Sequence, residues 1–356
     1  MKPFWRGKKV LVTGHTGFKG AWLCLWLKEL GADVTGFSKA PDAHSLFIQA
    51  RVGDSMTSII GDINDYALLK QTIDSHQPEI VFHLAAVALV GESYQNPVET
   101  YATNVMGTVH LLEAMRHSDS VKTLVNVTTD KCYANPGIHA FQENEPLGGL
   151  DPYSSSKACA ELVTTAYRAS YFKTQGIATA RAGNVIGGGD WAQKRLIPDV
   201  MRSCLKGEDV LIRSPTAIRP WQHVLDALYG YLTLAQALHV APVEFSEAWN
   251  FGPVEKEVKS VQWIVDYLLA QWGGGTRSVL DQAMAPHEAH ILTLDCSKAL
   301  SRLAWHPQNS LYQALDLTVA WYQAYQAGVD MRAFTLAQIN RYFFSTYARE
   351  TRASAD

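Results

Sequence analysis

The chain has 356 residues, 47% of them hydrophobic and 18% charged, with a formal net charge of −3. That length exceeds one small core and fits a large α/β domain with a second lobe, while the charge leaves no global positive field to hold nucleic acid. No uninterrupted apolar run of about 18 residues occurs, so no membrane span is expected, and the five scattered cysteines, with no CxxC pair, read as reduced thiols of a cytoplasmic protein.

Met1 to Lys9 leads into Val10-Leu11-Val12, an apolar run too short for the core of a secretion signal. Val10 to Thr13 is expected as a buried strand, β-branched and stopped by glycine. Residues 18 to 30 read as a helix with Trp22, Leu23, Leu25, Trp26, Leu27 and Leu30 on a broad apolar face, and Gly31 as its stop. Strands are expected at Ala32 to Phe37, Ile80 to Leu84, Thr123 to Val127 and Arg181 to Ile186. Helices are expected at residues 65 to 75, Pro97 to His117 and Ser154 to Phe172. Gly187-Gly188-Gly189-Asp190-Trp191 fits no regular element, because consecutive glycines carry too much backbone entropy.

This alternation argues for an α/β fold, a doubly wound parallel sheet of Rossmann type with a smaller α/β substrate-binding lobe. The expected division is a dinucleotide-binding domain over 1–182, a mainly substrate-binding lobe over 183–335 with some return to the first domain, and a C-terminal tail over 336–356.

Gly14, Gly17 and Gly20 follow the first strand and open the first helix. The first glycine allows a tight turn, the second the approach of a pyrophosphate, and the third close helix packing. Thr16 and Phe18 lie within this turn. At the end of the second strand, Gly36-Phe37-Ser38-Lys39 offers no acidic residue for an adenosine ribose. Lys39 reads as a solvated loop lysine or as a partner for a 2′-phosphate, and Asp62-Ile63 as the segment facing the adenine. NAD is the expected cofactor, with NADP left open by these residues. The twelve histidines show no metal-ligand spacing, so no metal is expected.

Tyr153 and Lys157 stand four apart on an expected helix and so share a face. A nearby ammonium stabilises phenolate and lowers the tyrosine pKa, which suits removal of a hydroxyl proton during hydride transfer. With Thr13 to Gly20, Leu84-Ala85-Ala86, Asn104-Val-Met-Gly-Thr108, Thr128-Thr129 and Arg181-Ala-Gly-Asn-Val185, these residues resemble the extended short-chain dehydrogenase/reductase family. The resemblance implies that Thr129 hydrogen-bonds the reacting sugar hydroxyl, that Tyr153 is the base, and that Lys157 also holds the nicotinamide ribose. It places Leu84, Ala85, Ala86 and Asn104 at the cofactor. It further implies a homodimer or dimer of dimers formed through two-helix faces.

Asp130 and Lys131 follow Thr129 directly. A 4-epimerase needs only hydride out and hydride back, whereas loss of water needs a further acid and a further base. Asp130 is the expected acid for the leaving C6 hydroxyl and Lys131 the expected base for the C5 proton. Within the family, the whole set of motifs resembles the nucleotide-sugar 4,6-dehydratases that act on CDP-glucose, and that nucleotide sugar is the implied substrate. The alternatives are a nucleotide-sugar 4-epimerase and a non-catalytic NAD(P)-binding sensor.

A nucleotide diphosphate calls for arginines. Arg195, Arg213 and Arg219 are the candidates, Arg219 foremost because its segment resembles the one whose arginine meets the pyrophosphate. Asn184 stands where the family touches substrate, Leu196 and Ile197 are expected over the base, and His287 with Glu288 is expected to close the pocket. One loop departs from the family. At positions 87, 88 and 91 a polar residue, a proline and an arginine are expected, and the chain has Val87, Ala88 and Gly91. That departure puts substrate fit in question, and Gly91-Glu92-Ser93 looks more like the epimerases.

Overall fold

A computed structural model of the chain describes residues 1–134, 139–253, 259–274, 277–280 and 293–353. Seven parallel strands build the central sheet: β1 (Lys9–Thr13), β2 (Asp33–Ser38), β3 (Thr57–Ile60), β4 (Ile80–His83), β5 (Thr123–Val127), β6 (Gly176–Ala182) and β7 (Ala248–Phe251). Their spatial order is β7-β6-β5-β4-β1-β2-β3. Chain direction across the sheet reverses between β1 and β4, which opens a crevice at the carboxyl ends of those strands. Thr13 lies opposite His83 at that point.

Both faces of the sheet are covered, so successive residues feed different cores. Val10 and Val12 pack with Trp22, Trp26 and Trp249, while Leu11 packs with Ile73, Leu111 and Leu124. Helix α1 (Phe18–Glu29) is buried from Gly20 through Leu27 without a solvated stripe. It is a helix apolar all round because protein surrounds it, not one with a single broad face. The second core is closed by α2 (Tyr66–His76) and α3 (Gly107–Arg116).

The strand β3 was not among the expected elements. Its Thr-Ser-Ile-Ile sequence sits at the sheet edge with no fully buried residue, so it carries almost no hydrophobic period. The expected helix from Pro97 to His117 is interrupted. A short helix Pro97–Tyr101 passes through a π-helical turn, Ala102–Met106, into α3. The expected strand from Arg181 to Ile186 is two strands. β6 ends at Ala182, and Asn184–Ile186 pairs instead with Trp221–His223 in a separate two-stranded sheet. The break falls at Gly183, where a Cβ would stand 2.9 Å from Asp130 Oδ2.

The catalytic-motif helix is α4 (Pro152–Ser170), and the second lobe adds α5 (Leu196–Lys206), α6 (Val224–Val240) and α7 (Leu311–Gln326). Residues 183–335 also supply β7 to the central sheet, and α6 packs beneath β5 and β6. The expected boundary at 336 falls inside α8 (Met331–Ala353). Ile339 and Tyr342 of that helix are buried, the Tyr342 hydroxyl donates to Asp226 Oδ1 at 2.8 Å, and its ring meets Trp26 edge-on at 5.5 Å. A segment so anchored is part of the core and not a tail. Among the described residues no helix is long and apolar enough to cross a membrane.

Candidate active site

The chain leaves β1 and turns at Gly14, whose φ of +74° is left-handed and whose Cβ would come within 2.7 Å of the Ala85 nitrogen. Gly20 lies beneath, where a Cβ would stand 2.1 Å from the Gly14 carbonyl oxygen. Only glycine fits either place. Gly17 is the N-cap of α1, and no side chain caps the helix. The amide donors of its first turn are the kind that seat a phosphate. The residues present therefore fit a dinucleotide.

Several residues expected at the cofactor have structural duties in the fold. The Thr16 hydroxyl bonds Ser38 Oγ at 2.8 Å and donates to the Lys39 carbonyl at 3.0 Å, tying the glycine turn to the end of β2. Ile63 is 4% exposed and packs over Gly107, where a Cβ would come within 2.6 Å of it, so its side chain belongs to the core. Asn104 spends its amide on protein. It accepts from the Val87 amide at 2.9 Å and donates to the Val87 carbonyl at 3.1 Å and to Ser156 Oγ at 2.9 Å. It braces the loop after β4 against α4. Leu84 and Ala85 both donate backbone N–H to Thr13 Oγ1 at 3.2 Å, and half-buried Ala86 follows.

Lys39 is neither free nor poised for a 2′-phosphate. Its ammonium donates to Glu99 at 2.8 Å and stands 3.3 Å from Asp62. Two carboxylates against one ammonium leave the end of β2 net negative, which disfavours a phosphate there.

Beyond Phe18 and Lys19 a cleft of about 610 Å³ opens between the sheet and the second lobe. Thr129, Lys131 and Tyr153 border it on one side, and Asn184, Arg195, Leu196, Ile197 and Arg219 on the other. Thr129 caps the single turn Asp130–Cys132 by accepting from the Lys131 amide at 3.3 Å. Asp151 caps α4 by accepting from the Ser154 amide at 2.9 Å, with Pro152 in the first turn. That start sets Tyr153 and Lys157 on one buried face.

The phenol differs from expectation. Burial raises the Tyr153 pKa, and the Lys131 ammonium and a hydrogen bond with Thr129 pull it back only in part. Lys157 turns its ammonium to the Val127 carbonyl at 3.1 Å. Burial lowers the Lys157 pKa to about 8, against the opposing pull of Glu161. The cations that act on the phenol here are Lys131 first and Arg195 second.

Asp130 stands one layer back. It is 2% exposed and does not border the cleft. Its Oδ1 accepts from the Thr129 hydroxyl at 3.0 Å and lies 3.6 Å from Lys131 Nζ. Its Oδ2 is buried with no hydrogen-bond partner among the described residues. An orphaned buried oxygen of this kind costs about 1–3 kcal/mol.

Beneath the turn lies a buried ion pair that sequence reading missed. Arg181 Nε and Nη2 each donate to Glu161 at 2.9 Å, and Glu161 also accepts from Thr128 at 2.5 Å and Thr179 at 2.7 Å. Arg181 reaches further, to the Tyr133 hydroxyl at 2.9 Å. Spacing held one signal, since Glu161 follows Lys157 by four on the same helix face. Arg181→Met is expected to strand the Glu161 charge and to destabilise the fold by about 3–5 kcal/mol, read as a lowered urea midpoint. An unchanged midpoint would refute the role given to the pair.

The glycine loop 187–189 is set by space as well as by entropy. A Cβ at Gly188 would meet the Trp321 ring at 1.9 Å, and the Gly188 carbonyl accepts from Trp22 Nε1 at 3.0 Å. The loop delivers Arg195, which pairs with Asp190 at 3.1 Å and donates to the Ala88 carbonyl at 3.2 Å. Lys194 lies nearest the position a Gly91 side chain would fill, its Cδ 3.8 Å away. Arg213 is exposed and outside the cleft. His287 and Glu288 lie outside the described residues. Lys19, which lines the cleft, was overlooked inside the glycine motif. Among the described residues no group of His, Cys, Asp and Glu could hold a metal ion.

The model of the NAD dependent epimerase/dehydratase family matches residues 10–252. A CDP-glucose 4,6-dehydratase of Salmonella typhimurium strain LT2 is 51% identical over 354 residues, covering 97% of this chain and 99% of the relative. A dTDP-glucose 4,6-dehydratase of Xanthomonas campestris pv. campestris strain B100 is 28% identical, over 90% of this chain and 94% of its own. The crystal structure of a dTDP-glucose 4,6-dehydratase from Bacillus anthracis in complex with NAD aligns with a TM-score of 0.76 at 25% identity, covering 91% of this chain and 99% of that one.

Proposed function

This chain belongs to the NAD dependent epimerase/dehydratase family, and from that premise we propose that it is a nucleotide-sugar 4,6-dehydratase that converts CDP-D-glucose to CDP-4-keto-6-deoxy-D-glucose and water. The likeness of 51% over almost the whole chain supports the substrate. The observation that carries the chemistry is the opening of Lys131 onto the same cleft as Thr129 and Tyr153. An epimerase has no use for a second base there.

Gly14, Gly17 and Gly20 would seat NAD, with Lys157 turning to its ribose, and the cofactor would supply the hydride acceptor for C4 and the hydride donor for C6. Thr129 bonds the C4 hydroxyl, and Tyr153 takes its proton as the hydride leaves. The C4 ketone acidifies C5, and Lys131, once its ammonium has passed a proton to the Asp130 carboxylate 3.6 Å away, takes the C5 proton as the neutral amine. The C6 hydroxyl departs with a proton as water. Asp130, bonded by Thr129 and 3.6 Å from Lys131, receives the proton that Lys131 gives up and returns it through them to the leaving C6 oxygen. A hydride added at C6 and a proton at C5 complete the 6-deoxy ketone. Arg219, Arg195 and Asn184 line the side of the cleft that receives the nucleotide diphosphate, with Leu196 and Ile197 against the base. A cytoplasmic homodimer is part of the same reading, supported by exposed apolar side chains such as Met106 and Leu162 on neighbouring helices.

Purified protein with CDP-glucose and NAD is expected to yield a product lighter by one water, carrying solvent deuterium at C5. A product with its C6 hydroxyl intact and C4 inverted would replace this reading with the epimerase. Parallel reactions with dTDP-glucose and UDP-glucose test the nucleobase.

A further inference from the structure

Lys19 is the second residue of α1, so its ammonium sits at the positive end of a helix dipole. A cation there is unfavourable by about 0.3–1 kcal/mol. Its neighbours aggravate this. Lys157 faces it from α4 and Arg195 from the loop before α5, while the π face of the Tyr231 ring of α6, 5.8 Å from the ammonium, offsets part of the cost. Arg195 is already paired with Asp190, and the nearest carboxylate, Asp130, is shared with Thr129 and Lys131. Among the described residues no carboxylate or carbonyl bonds Lys19, which is half-buried and borders the cleft. A half-buried lysine on the cleft border, beside two other cations and with only a ring against its ammonium, is suited to an anion.

We propose that Lys19 binds a diphosphate ester at the inner end of the cleft, adding a side-chain contact to the backbone cradle. The inference rests on the dinucleotide and nucleotide-sugar reading of the cleft, and the diphosphate belongs to one or the other. The contact has a thermodynamic signature. Burial first, then the charges of Lys157 and Arg195, hold the Lys19 pKa down to about 7, with Asp130 opposing. An anion against the amine raises that pKa again. At pH 8 the free amine is mostly neutral and the bound one charged, so binding takes up a proton.

The full chain, titrated calorimetrically at pH 8 in buffers of different ionisation heat, tests this with two probes. ADP-ribose carries the dinucleotide diphosphate without the nicotinamide, and CDP carries that of the sugar substrate. The wild type is expected to take up most of a proton with one of them, and the probe that does so identifies the source. Lys19→Met is expected to abolish that uptake and weaken the same probe about tenfold. Lys19→Arg, always charged, is expected to keep the affinity and lose the uptake. Unchanged affinity and uptake for both probes in Lys19→Met, or uptake persisting in Lys19→Arg, overturns the assignment while leaving the cleft reading intact. Failure of the wild type to bind either probe overturns both.

Discussion

Lys131→Met is expected to leave the first oxidation running and to block the elimination of water. Dehydration falls by about 10²–10⁴-fold, the usual contribution of a positioned base, and solvent deuterium no longer enters C5. Reduced cofactor accumulates with the 4-keto hexose, because neither can go forward without C5 deprotonation. The residue sits 23% exposed on the cleft wall with Asp130 3.6 Å behind it, so methionine removes the amine while keeping the stem that fills the wall. A second effect has a fixed sign. Lys131 lowers the Tyr153 pKa, so its loss raises that pKa and moves the rising limb of oxidation to higher pH. A structural lysine predicts neither the accumulation nor the displaced limb. Undiminished C5 exchange in this variant removes Lys131 from the mechanism.

The sheet was legible because its strands carry the strongest kind of signal. Val10 to Thr13, Ile80 to His83 and Thr123 to Val127 are buried from both faces and stopped by turn residues. The elements that escaped lack that signal. β3 is an exposed edge strand. The break falls at Gly183, where a Cβ would stand 2.9 Å from the Asp130 carboxylate, a neighbour that sequence proximity does not reveal. The helix α8 reads as a polar tail until Trp26 and Asp226 are seen to receive Tyr342.

The site divides in the same way. Glycine positions and the Tyr153–Lys157 spacing are local and were readable. Duties that depend on where a side chain turns were not. Asn104 and Thr16 lie beside the crevice yet bond protein. Lys157 shares a face with Tyr153 yet points to Val127. Lys19 was hidden because the glycine motif draws the eye to backbone, and nothing in its spacing says that its side chain enters the cleft.

Tyr153→Phe is expected to fail one step earlier than Lys131→Met. Without the phenol the C4 hydroxyl proton loses its proposed acceptor, so hydride transfer itself slows by about 10²–10⁴-fold. No reduced cofactor accumulates and C5 exchange stops as well, since no ketone forms to acidify C5. Binding is expected to persist, because the phenylalanine ring refills the buried wall and the backbone still meets Ser93 through the residue-153 amide at 3.2 Å. The two variants therefore separate the chemistry by order. The double variant should match Tyr153→Phe alone, as residues acting in sequence do not add. Were Tyr153→Phe to form reduced cofactor at the native rate, the base would have to be Lys131, the only other titratable side chain among the named groups on that wall, and the whole division of labour between first and second proton would be reversed.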